Sequence, residues 1–169
     1  NLTVNARNLI ELSGTSANDA PSYLFSVAGK VPSGLRNETA GSGLGGKFTI
    51  NTKRLIIRDG AWVTSGTAGN QPGGELTVTA ESVELTGTSS NNFPSVLASG
   101  TQGSGNSGNL AINTKKLMVS NGGIISAGTS SSGQGGNLVI DATDSVELVG
   151  TSKRGITDFQ IKQLLGYGG

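Results

Sequence analysis

Gly108-Asn-Leu-Ala-Ile-Asn-Thr-Lys-Lys-Leu-Met-Val-Ser-Asn-Gly122 holds two apolar triplets, Leu110-Ala-Ile112 and Leu117-Met-Val119, parted by polar residues. Side chains alternate across a strand, so Leu110 and Ile112 share one face of a first strand. Leu117 and Val119 do the same on a second. The stretch reads as one link of a repeat. Its first triplet returns at Leu2/Val4, Phe48/Ile50, Leu76/Val78 and Leu138/Ile140. The segments that carry it begin at residues 1, 47, 75, 109 and 137, at spacings of 46, 28, 34 and 28 residues. The second triplet returns at Ile10/Leu12, Leu55/Ile57, Val83/Leu85 and Val146/Leu148. A third, smaller pair follows at Leu24/Ser26, Val63/Ser65, Leu97/Ser99 and Ile125/Ala127.

Repeats at such spacings predict stacked units that bury one another's apolar rows. The fold expected is an all-β parallel β-helix, a β-solenoid of about five coils with three short strands per coil. It would occupy residues 1–152. A β-sandwich of hairpins is the rival, but its tight-turn signals are confined to Asp59-Gly60 and Asn121-Gly122, which share one repeat position.

Composition supports a thin core. The 169 residues include 28 glycines but one Trp, two Tyr and four Phe, so Val, Ile and Leu must supply the burial. With 12 basic and 11 acidic residues there is no cationic excess to drive nucleic-acid binding. Without His or Cys the commonest general base, the soft metal ligands and disulfides are missing, and no metal or cofactor is expected. No apolar run approaches the length of a membrane span. The chain opens without Met inside a repeat, which reads as a piece of a longer protein.

Two stretches break the pattern. Residues 29–46 read as an insert in the first repeat, a loop leaving the rod. Residues 153–169 lack a third strand; Phe159, Ile161, Leu164 and Leu165 have the spacing of a short helix ended by Gly166. That segment is expected to be a cap, a docking segment for another subunit, or a tail.

Several residues invite functional readings. Tyr23, Trp62, Val96 and Ile124 alternate opposite to the inward ladder, and with Phe25 they predict an exposed apolar stripe suited to a sugar ring or a sister subunit. Glu11, Glu84 and Glu147 recur at one outward position, as repeated structural residues do rather than a unique catalytic pair. Gly41–Gly46 and Gly103–Gly108 fit a dinucleotide fingerprint in spelling only. Each leads into a strand rather than a helix, so they read as turns. Thr3, Thr49 and Thr77 form an outward row that Ala111 and Val139 interrupt, too short for an ice-binding face. No catalytic residues are expected, and the chain reads as a non-enzyme.

The Gly-Asn-Leu-x-Ile-x-Thr-x-x-Leu-x-Val pattern at 108–119, with the Val-Glu-Leu-x-Gly-Thr-Ser units, resembles the repeats of cyanobacterial filamentous-haemagglutinin-like exoproteins of the two-partner secretion type. The resemblance covers residues 1–152. It implies a right-handed β-helix, export across the outer membrane, and a role in surface adhesion or matrix. The function expected is an extracellular structural or adhesive protein, secreted or on the cell surface. It would assemble head to tail with sister subunits or meet polysaccharide. A carbohydrate-binding or carbohydrate-active β-helix protein is the alternative.

Overall fold

The computed structural model describes residues 1–16 and 31–151, which form twelve strands and, among the described residues, no helix. The first triplets lie on β1 (Leu2–Asn5), β4 (Phe48–Asn51) and β7 (Leu76–Thr79). The second lie on β2 (Leu9–Ser13), β5 (Arg54–Arg58) and β8 (Ser82–Thr86). In the fourth and fifth segments both triplets share one long strand, β10 (Leu110–Ser120) or β12 (Leu138–Val149). The rest are β3 (Gly34–Thr39), β6 (Trp62–Thr67), β9 (Val96–Thr101) and β11 (Ile124–Thr129).

All strand pairs are parallel and keep the register that the alternation predicts. Leu2 lies beside Phe48, Phe48 beside Leu76, Leu76 beside Leu110 and Leu110 beside Leu138. The second ladder runs Ile10, Leu55, Val83, Leu117 and Val146 in the same way. The only antiparallel contacts among the described residues are two isolated bridges, Thr15 with Pro32 and Thr88 with Pro94.

The architecture nevertheless corrects the expected right-handed β-solenoid with three strands per coil. The first and second ladders are one eight-stranded sheet, ordered β1-β4-β7-β10-β8-β5-β2, with β12 paired to β10 off that path. Its seven-strand path forms a half-barrel. A separate four-stranded sheet, β11-β9-β6-β3, is the other wall. The reason lies in the corner between the two triplets. In β10 residues 113–116 remain within the strand, so its first half pairs with β7 and its second half with β8. One strand thereby joins two arms that periodicity alone reads as separate.

Both sheets feed one core. Phe48, Ile50, Leu76, Val78, Leu110 and Ile112 from one arm meet Leu55, Ile57, Val83, Leu85 and Leu117 from the other, with Val63 and Leu97 from the second sheet. These side chains are almost wholly excluded from water. Each such burial contributes roughly 1.5–3 kcal/mol. The passage from the large sheet to the small one uses left-handed backbone. Asp59 and Gly60 have φ of 56° and 84°, and Asn121 and Gly122 have 52° and 93°. These pairs turn the chain between sheets instead of closing a hairpin.

The third strand of the first segment also differs from expectation. It is β3, inside the stretch read as an insert, and Leu35 rather than Leu24 stands beside Val63. Pro-Ser-x-Leu occurs twice in the first segment, at Pro21–Leu24 and Pro32–Leu35, and again at Pro94–Leu97, whose place before a third strand the second copy takes. Thr39-Ala40-Gly41, which begins on the last residue of β3 as Thr67-Ala68-Gly69 begins on the last residue of β6, distinguishes the two. Tyr23, Phe25 and the Leu24/Ser26 pair lie outside the described residues. So do Phe159, Ile161, Leu164 and Leu165 and the short helix expected there.

Candidate functional site

The outer face of the four-stranded sheet carries Trp62, Val96 and Ile124 of the expected exposed stripe, and the structure corrects their exposure. Trp62 and Val96 are buried, at 8% and 2% of their accessible surface, and Ile124 is half-buried. Trp62 and Val96 form a second small apolar cluster with Phe93, with Ala98 packed against it, on the side of the sheet away from the main core. The Trp62 indole N–H donates to the Pro94 carbonyl at 3.0 Å. The Arg36 guanidinium lies 5.2 Å from the ring centroid, within reach of a cation–π contact. Trp62 therefore anchors the loop before β9. Phe93 was not legible as its partner; the one signal is an apolar residue inside the polar turn from Ser89 to Pro94.

Trp62 and Val96 of this cluster, with Ile124, also line a groove of about 110 Å³. Glu38 heads a column that continues in register as Gly66, Gly100 and Gly128. The next column is Arg36, Thr64, Ala98 and Ser126. Thr67, Thr101 and Thr129 line the groove as well. Small outward residues leave the space open, and its exposed lining is mostly apolar, with Glu38 and the Thr64 hydroxyl among its polar groups. Thr64 Oγ1 donates to Glu38 Oε1 at 2.5 Å. Burial raises the Glu38 pKa, opposed by the Thr64 hydrogen bond and by nearby Arg36. Burial lowers the Arg36 pKa, opposed by Glu38.

The repeated glutamates face outward, as expected. Glu11, Ile56, Glu84, Met118 and Glu147 follow one another across the large sheet. Arg58 Nε donates to Glu11 Oε1 at 2.7 Å, and the same guanidinium reaches Asp59. These hydrogen bonds to Glu11 and Asp59 raise the Arg58 pKa. The carboxylates do not converge: among the described residues, no group of three or more Asp, Glu, His or Cys could hold a metal ion. The glycine-rich stretches are loops stacked backbone on backbone. A Cβ at Gly105 would lie 2.0 Å from the Gln71 carbonyl oxygen, and one at Gly133 2.0 Å from that of Gly105.

The second candidate is the free side of β12. This strand pairs with β10 alone among the described residues. Leu138, Val139, Ile140, Val146, Leu148 and Val149 are all exposed there. At the other end, Leu2, Val4, Ile10 and Leu12 are half-buried against the core. No helix among the described residues is long and apolar enough to cross a membrane.

Comparison with protein-family models, with curated proteins and with solved structures finds no match to this chain.

Proposed function

We propose that this chain belongs to an extracellular structural or adhesive protein, secreted or held at the cell surface, that works by extending its parallel sheets. The supporting observation is the β12 edge. It presents a row of aliphatic side chains whose counterparts one strand further in are buried, beside backbone groups that face no strand among the described residues. An unpaired, apolar edge is a template for further pairing. The repeats and their resemblance to filamentous-haemagglutinin-like exoproteins support the adhesive role and the location. Electron microscopy and a sedimentation concentration series test the reading. Extended assemblies should form, and Leu148→Lys should suppress them without lowering the melting temperature. A chain that stays monomeric at high concentration counts against it.

The groove favours a second reading, binding of a saccharide. Its mostly apolar lining, which includes Trp62, suits the C–H face of a sugar, and the Glu38 carboxylate offers an acceptor to a hydroxyl. Ala98→Trp would fill the groove. A glycan array on which this variant binds as the parent does would remove the reading.

A further inference from the structure

We infer that the β12 edge receives β1 and β2 of a second copy of this chain in one register. Leu2 would lie on Leu138, Val4 on Ile140, Ile10 on Val146 and Leu12 on Leu148. The inference rests on the assembly reading above and specifies its interface.

Corner length is the first argument. Ile10 stands six positions after Val4, and Val146 six after Ile140. The intervening segments take a step of five positions: Ile50 to Leu55, Val78 to Val83 and Ile112 to Leu117. The long corners fit their neighbours within the chain imperfectly. Between β10 and β12 the register shifts at Thr114/Lys116. The pairs Asn5 with Asn51 and Leu9 with Arg54 enclose three residues on one side and two on the other. Copy against copy, the two long corners match residue for residue, with Ala6 on Ala142.

Polar complementarity is the second. Asn51 Nδ2 donates to Asn5 Oδ1 at 2.8 Å, which leaves the Asn5 amide N–H groups directed elsewhere. The residue brought against Asn5 is Asp141, whose carboxylate only accepts. Asn8 likewise meets Asp144, and Arg7 falls between these two carboxylates. Glu11 comes opposite Glu147, a like-charge pair, but Glu11 already accepts from Arg58 at 2.7 Å.

The chain contains no cysteine, so paired cysteines report the register directly. Thr3 and Val139 are exposed, outward and opposite each other in the proposed junction. Facing Cα atoms about 4.8 Å apart permit a disulfide. Within one chain β1 and β12 are separated by three strands, too far to bridge. The full chain carrying Thr3→Cys and Val139→Cys should give a ladder of linked oligomers on mild oxidation. Thr3→Cys with Asp141→Cys, offset by two residues to roughly 8 Å, should give little. Oligomers in which the matched pair links no better than the offset pair overturn this register and leave edge assembly standing. A chain with no oligomers in either variant overturns both.

Discussion

Leu85 and Leu148 close the same triplet two segments apart, yet Leu85 has no exposed surface and Leu148 is 72% exposed. Ile112 and Ile140 are direct neighbours across β10 and β12, at 0% and 36%. Sequence position is equivalent in each pair. What differs is the number of neighbouring strands. An interior strand is covered from two sides and shares its backbone hydrogen bonds with both, whereas β12 has one neighbouring strand among the described residues. Burial in such a stack belongs to the interface between segments rather than to any segment alone. The same triplet is therefore a core element in one place and an exposed surface in another.

The sharpest way to break this contrast is truncation of the two leucines. Leu85→Ala should cost about 2–5 kcal/mol in urea unfolding, because it removes a wholly buried side chain and leaves a cavity. Leu148→Ala should change the monomer by less than about 0.5 kcal/mol. Equal losses would mean that the end of the sheet is covered in solution.

Glycines sharpen the comparison at the next level. A Cβ at Gly66 would stand 2.2 Å from the Gly100 carbonyl oxygen, whereas one at Gly41 meets nothing within 4 Å. Gly66→Ala should therefore cost about 1–3 kcal/mol by forcing the strands apart. Gly41→Ala should leave the melting temperature unchanged. A neutral Gly66→Ala would show that β6 and β9 can separate freely.

The smallest effect belongs to Glu38. Burial raises its pKa, so the folded chain keeps this proton to higher pH than the unfolded chain. Its contribution to stability is complete below the ordinary carboxyl range near 4.5 and is lost as pH rises through the raised value. Glu38→Gln should thus melt slightly higher than the parent at pH 7, with the gap closing by pH 4. An equal gap at both pH values would assign the effect to the Thr64 hydrogen bond rather than to the charge.

Much of this was legible in the residues themselves. The triplets at Leu2, Phe48, Leu76, Leu110 and Leu138 announce extended segments, their facing and their mutual register, because alternation and repeat spacing are local properties of the chain. The outward glutamates follow from the same rule. The candidate surfaces were harder to read. Trp62 and Val96 alternate as exposed residues should, but Phe93, Arg36 and the Pro94 carbonyl reach them from other parts of the chain. The Glu38 groove exists only because Gly66, Gly100 and Gly128 fall in register beside it.

The amino-acid order alone determined which residues are extended, which side chains face together and which segments are equivalent, since these depend on spacing along one chain. Tertiary structure decided how many sheets those segments make. Whether β10 breaks or runs on at residues 113–116 depends on the strands on either side, and running on merges two ladders into one sheet. It also decided which of two Pro-Ser-x-Leu copies becomes β3 and which aliphatic triplet remains uncovered. Those outcomes are set by neighbours in space, and a local pattern carries no record of who its neighbours will be.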